Sequence, residues 1–155
     1  AIDVVDISGV STVAVTVGIG GAGGNGGNGS SGGTSSFGSY CSATGGEGGL
    51  LAGQGNNPTN FGGTATGGLI NIRGGAGQSS SGGDANDEPV AGHGGASFWG
   101  DGSSQGATNA GGAYVDGFAG VVYGAGGGGG DHHTSHGARQ GGAGMSGIVV
   151  VEEYA

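Results

Sequence analysis

Apolar and polar side chains alternate over residues 10–17, Val-Ser-Thr-Val-Ala-Val-Thr-Val, where Val13, Val15 and Val17 recur at every second place. A period of two belongs to a half-buried β-strand, so the pattern predicts a strand there. Residues 148–154, Ile-Val-Val-Val-Glu-Glu-Tyr, form a β-branched run that predicts a second strand, buried at its start and exposed at its end. Residues 3–7 are expected to add a short third. The two terminal strands are expected to pair and close the interior like a loop. Between them no helical period occurs, and the rhythm is one of three, as in Gly20-Gly21-Ala22-Gly23-Gly24-Asn25-Gly26-Gly27-Asn28 and Gly45-Gly46-Glu47-Gly48-Gly49-Leu50.

A period of three matches polyproline-II geometry, which turns once in three residues, rises about 3.1 Å per residue and has no internal hydrogen bonds. Two glycines per turn let neighbouring chains approach until backbone N–H and C=O groups pair sideways, which makes the backbone itself the core. The predicted fold class is therefore mostly irregular and all-β: a bundle of packed polyglycine-II helices bracketed by N- and C-terminal β-strands, with almost no α-helix. One domain over 1–155 is expected, with strand over 1–18, polyglycine-II segments and loops over 19–146, and a closing strand over 147–155.

Composition sharpens the choice. Glycine supplies 48 of 155 residues, against four Phe, four Tyr and one Trp. So little apolar surface favours disorder, and only the two strand-forming ends weigh against it. Collagen is excluded, because it needs glycine at every third place with abundant proline, and the chain has two prolines. The formal charge is −9, and Arg73 and Arg139 are its only basic side chains. That balance disfavours nucleic acid and anionic lipid as partners. No apolar run is long enough to insert in a membrane. Cys41 has no internal partner and is expected to be a small half-buried side chain rather than an activated thiol. Ala1 in place of an initiator methionine is expected of a processed product or a piece of a longer chain, with no secretory signal in the stretch at hand.

The aromatic and charged residues collect where the glycine rhythm breaks. Residues 30–44 hold Phe37 and Tyr40, and 56–61 read as a turn. Residues 79–90 hold Asp84, Asp87 and Glu88, which fit neither an EF-hand nor a calcium β-roll, so a hydrated acidic loop is expected. Residues 97–109 hold Phe98, Trp99 and Asp101; residues 114–123 hold Tyr114, Phe118 and Tyr123; residues 131–140 hold His132, His133, His136 and Arg139. An aromatic pair followed by Gly100-Asp101-Gly102 reads as an exposed tip, and aromatic rings offer large contact area at low entropy cost. The competing reading of the same aromatics is loop anchoring, and the Val121-Val122 pair leans its segment toward packing. His132, His133 and His136 are candidate metal ligands, though their spacing matches no defined metal motif, and a solvated polar loop stands beside that reading. No cofactor is otherwise expected. The glycines at 126–130 lack the Lys-Ser/Thr and helix of a phosphate loop, and no nucleophile elbow or zinc-protease motif occurs, so no enzymatic activity is expected.

The stretch from Val13 to Gly27, Val-Ala-Val-Thr-Val-Gly-Ile-Gly-Gly-Ala-Gly-Gly-Asn-Gly-Gly, is followed by Thr34-Ser-Ser-Phe-Gly-Ser-Tyr-Cys-Ser-Ala-Thr-Gly-Gly and, at the end, by Gly147-Ile-Val-Val-Val-Glu-Glu-Tyr. In that order the motifs resemble the glycine-rich C-terminal receptor-binding domain of bacteriophage tail fibres, over nearly the whole chain. The resemblance implies an adhesin tip on a polyglycine-II scaffold, at the distal end of a tail fibre on the virion. Its loops would bind a bacterial cell-surface receptor, either an outer-membrane protein or a surface glycan. It also implies other tail-fibre chains as partners, with a homotrimer expected. Phe98, Trp99, Asp101, Tyr114, Phe118, Tyr123, His132, His133, His136 and Arg139 are the receptor-binding candidates. The alternative is a self-assembling glycine-rich extracellular fibre, built by chain-to-chain pairing of exposed backbone edges.

Overall fold

The computed structural model describes residues 1–50, 60–78, 91–104, 115–130, 132–133 and 137–154. Among them there is no helix. The regular structure is a small antiparallel sheet of β1 (Val15–Thr16), β2 (Ser35–Phe37), β3 (Cys41–Ala43) and β4 (Ala65–Thr66), in that order, and a hairpin of β5 (His132–His133) and β6 (Gly137–Ala138). The fold is thus all-β and irregular.

The β2–β3 hairpin organises the sheet. Gly38, at φ 53°, takes the left-handed turn position that a residue with a Cβ enters only under strain, and Tyr40 N–H donates to the Phe37 carbonyl at 3.1 Å. Register then pairs Val15 with Phe37, and Phe37 with Cys41. One residue along it aligns Thr16, Ser36, Ser42 and Thr66 across all four strands. Directly paired residues share a face, so this row is a file of hydroxyls, and Ser42 Oγ and Thr66 Oγ1 lie 3.1 Å apart.

The terminal strands differ from expectation. Of residues 10–17 only Val15–Thr16 is strand, and its partner is β2 rather than the C-terminal run. The third strand expected over 3–7 is absent, with a single bridge between Ile2 and Ile70 in its place. Residues 148–154 carry no strand. The last tie between the two ends is the Gly147 N–H to the Gly18 carbonyl, at 2.9 Å. From Val17 and Ile148 outward every facing residue has a β-branched or other side chain, and the close approach that two glycines permit is lost.

Glycine-rich segments make up the rest, tied sideways by backbone hydrogen bonds that recur every three residues. Gly141, Gly144 and Gly147 donate to the carbonyls of Gly24, Gly21 and Gly18 at 2.8, 2.9 and 2.9 Å. Their chain neighbours Gly142 and Met145 donate to a different segment, at Gly128 and Ala125. Likewise Gly29 and Gly32 serve Gly49 and Gly46, while Ser30 and Gly33 serve Ala22 and Ile19. Consecutive donors thus point to different neighbours, and in the Gly-Gly-x triplets the third residue faces outward: Ala22, Asn25, Ser31, Glu47 and Ala143 are all exposed. Side chains have little part in the interior. Ala91 and Ala125, at 4% and 1% exposure, and Ser103 at 8%, are buried together with Gly18, Gly92, Gly120 and Gly128.

The hydrogen bonds also give each segment a direction. Segments 18–25, 44–49, 74–78, 100–104 and 124–130 run one way, and segments 28–34, 60–64, 91–97, 115–120 and 139–147 run back. Two ends result. One carries the four-stranded sheet, both chain termini and the tight turns at 37–40, 67–70, 97–100 and 121–124. At the other end lie the 25–28 turn, the β5–β6 hairpin and the residues that flank the breaks at 51–59, 79–90 and 105–114.

Candidate functional site

The candidate residues divide between the two ends. Phe98 and Trp99 occupy the turn closed by the Ser97–Gly100 bridge, at the sheet end. Trp99 N–H donates to Ser97 Oγ at 3.1 Å, which braces the turn, and the two rings meet edge to face at a centroid distance of 5.3 Å. Phe98 is 63% exposed and Trp99 52%. Asp101 follows them and is exposed. Tyr123 stands on the neighbouring turn: a Cβ on Gly100 would touch Val122, and one on Gly124 would touch Ser97. Aromatic pairs of this geometry gain about 1 kcal/mol beyond the area they bury, so the turn displays a rigid aromatic corner to solvent.

At the opposite end, His132 pairs with Ala138 and His133 with Gly137 in the hairpin. Arg139 follows β6 and is exposed. Gln140 N–H is held by Asp116 Oδ1 at 3.0 Å, and Asn25 bridges to Gln140, so the base of the hairpin is fixed to two segments. Phe118 belongs to neither end. It sits on the flank of segment 115–120, half-exposed, while its carbonyl accepts from Gly128 N–H and from Ser103 Oγ. Tyr114, His136 and the acidic residues Asp84, Asp87 and Glu88 lie outside the described residues. Among the described residues no three of His, Cys, Asp and Glu come together as a metal-binding group.

Several contacts had no mark in the sequence. Ser103 is buried, and its hydroxyl reaches both the Phe118 and Gly126 carbonyls, at 2.5 and 3.3 Å, tying three segments. The Arg73 guanidinium lies over the Phe61 ring at 5.0 Å, and Glu47 Oε2 accepts the Phe61 N–H at 3.0 Å. Such pairs depend on which segments become neighbours, and no local spacing encodes that. Among the described residues the perturbed ionisable groups lie in the terminal segments. Ser8 N–H donates to Asp6 and holds its carboxyl below the ordinary aspartate range, and the hydrogen bond of Tyr154 to Glu152, 2.7 Å long, pushes the Tyr154 phenol up. Cys41 is a free, half-buried thiol in β3, beside a shallow depression lined by Tyr40, Ser42 and Thr66.

No helix among the described residues is long and apolar enough to cross a membrane. No match is found among curated proteins or among solved structures. A family model described as a glycine-rich domain matches residues 2–154, nearly the whole chain and every segment tied by the sideways hydrogen bonds, and the chain belongs to that glycine-rich domain family.

Proposed function

We propose that this chain is a receptor-binding adhesin at the tip of a bacteriophage tail fibre, in which a polyglycine-II bundle holds recognition loops toward a bacterial surface protein or glycan. Two features support the scaffold part of the reading. The sideways hydrogen bonds step by three residues, and consecutive donors serve different neighbours, as a threefold extended helix requires. A segment of about nine residues then spans roughly 28 Å, rigid without a side-chain core.

The observation that carries the recognition part is polarity. The described residues that flank the breaks at 51–59, 79–90 and 105–114 lie at one end of the bundle, opposite both chain termini. A rigid block whose glycine rhythm breaks several times from one end, the end that also holds His132, His133 and Arg139, is a layout for binding. Several tips on one virion, each a member of an expected homotrimer, raise the effective concentration and compensate for modest affinity per tip. A metal held by His132, His133 and His136 would act within this same loop. The test is an exchange of residues 51–59, 79–90, 105–114 and 131–138 for the corresponding loops of another phage. Adsorption should follow the donor's host range. Unchanged adsorption would sink the assignment.

The self-assembling fibre has one observation in its favour: residues 148–154 make no backbone–backbone hydrogen bond among the described residues. Size-exclusion chromatography separates the readings, since a fibre former elutes as open polymer and an adhesin as a discrete species.

A further inference from the structure

Asparagine followed by glycine occurs twice in the chain, at Asn25-Gly26 and Asn28-Gly29, where segment 18–25 turns into segment 28–34. The dipeptide is chemically reactive. Once deprotonated, the glycine backbone nitrogen attacks Cγ of the asparagine side chain; the new N–Cγ bond closes a succinimide, and the side-chain nitrogen leaves as ammonia. Water then opens the ring at either carbonyl. One opening gives aspartate, and the other gives isoaspartate, with the main chain rerouted through Cβ. Glycine favours the attack because it has no Cβ to crowd its nitrogen and rotates freely.

The fold treats the two pairs differently. Gly29 N–H donates to the Gly49 carbonyl at 2.7 Å, and Ser30 N–H to the Ala22 carbonyl at 2.9 Å, so the nitrogen facing Asn28 is held in the ladder between segments. Gly26 N–H is the donor of no backbone–backbone hydrogen bond among the described residues. Asn25 and Gly26 are both exposed, Gly26 has φ 67°, and nothing lies within 4 Å of where a Cβ on Gly27 would stand. The Asn25 side chain therefore has room to swing onto the Gly26 nitrogen. Asn25 also matters to what surrounds it. It bridges to Gln140 at the base of the β5–β6 hairpin, next to the bond from Gly141 N–H to the Gly24 carbonyl at 2.8 Å.

We infer that Asn25 is a site of spontaneous deamidation, protected against at Asn28, and that its conversion to isoaspartate loosens the β5–β6 hairpin from segment 18–25. The rerouted main chain adds a backbone atom at the bridge and spoils its register with Gln140. A new carboxylate then stands opposite Gln140, whose N–H is already held by Asp116 Oδ1 at 3.0 Å, and the two like charges repel. The hairpin keeps its tie to Asp116 and loses the other. His132, His133 and Arg139 thus sit on a hairpin whose attachment weakens with the age of the chain. The chemistry needs only water, and it stands whether or not this end binds a receptor.

The test is timed incubation of the full chain in mildly alkaline buffer, which favours the deprotonated nitrogen. Digestion and electron-transfer fragmentation then place each conversion and separate isoaspartate from aspartate. In the folded chain Asn25 should convert about fivefold faster than Asn28 or more, because the Gly29 hydrogen bond must open first and its net worth corresponds to about that factor. In denaturant the two should convert at nearly equal rates, since Asn25-Gly26-Gly27 and Asn28-Gly29-Ser30 share the reacting dipeptide. Conversion should bring a loss of protection from hydrogen exchange at the Gly141 amide. The variant Asn25→Gln, whose longer side chain closes the ring far more slowly, should keep that protection through the same incubation. The assignment is overturned if Asn25 does not convert in the folded chain, if Asn28 converts as fast or faster, or if the preference for Asn25 persists in denaturant. Protection at Gly141 that outlasts conversion overturns the loosening of the hairpin.

Discussion

Gly23 and Gly27 are four residues apart in one glycine-rich stretch and have opposite surroundings. A Cβ on Gly23 would land on the Gly141 carbonyl, where the 139–147 segment bonds to the 18–25 segment, whereas around Gly27 there is nothing within 4 Å. Gly23→Ala should therefore force the two segments apart and cost about 3 kcal/mol, the upper range for overpacking a tight interior. Gly27→Ala should raise stability by about 0.5 kcal/mol, because alanine lowers the entropy of the unfolded chain where the native conformation tolerates it. Denaturant midpoints of the two variants check this, and equal effects would refute a core made by glycine contact. The rhythm of three was legible in the sequence. Which glycines touch a neighbouring backbone was not, because Gly23 and Gly27 look alike until the partner segment is known.

Short elements prevail over long ones. The alternation of residues 10–17 promised a strand of that length, but a ladder needs a partner of equal extent, and the β2–β3 hairpin offers only a few residues before its own glycines take over. Where segments meet without strands, single hydroxyls secure them. Ser103 is the clearest: Ser103→Ala removes the donor to the Phe118 carbonyl in a buried place and should cost about 1 kcal/mol, the usual net worth of such a bond. The loss should appear locally, as faster amide hydrogen exchange at Gly128 and Gly126, whose segment Ser103 ties to its neighbours. Protection unchanged at both would mean that the hydroxyl adds nothing. Phe37 packs within the sheet, half-buried opposite Val15 and Cys41 with its ring 5.9 Å from Tyr40.

For the whole molecule, the buried interior is backbone rather than hydrocarbon, since Ala91 and Ala125 are the only buried apolar side chains among the described residues. Unfolding then exposes peptide groups far more than apolar surface, and these have opposite effects on heat capacity. At about 12 cal/mol/K per residue a chain of 155 residues would have a ΔCp of about 1.9 kcal/mol/K. Scanning calorimetry should give about half of that or less, with a correspondingly flat stability curve, and a value at or above 1.9 would mean that a hydrophobic core forms after all.

By itself the sequence determined the kind of core, because a repeat of two glycines in three leaves no side chains to bury and only backbone to pair. It also determined the chain's acidity. Tertiary structure alone decided which segments are neighbours and which way each runs. That order separates Phe98, Trp99 and Tyr123 from His132, His133 and Arg139, which the sequence had gathered into one candidate site. The physical reason is that sideways hydrogen bonds between glycines are all alike. Any segment can pair with any other, so the partners are chosen by the few turns, hydroxyls and side chains that fit only when the whole bundle has formed.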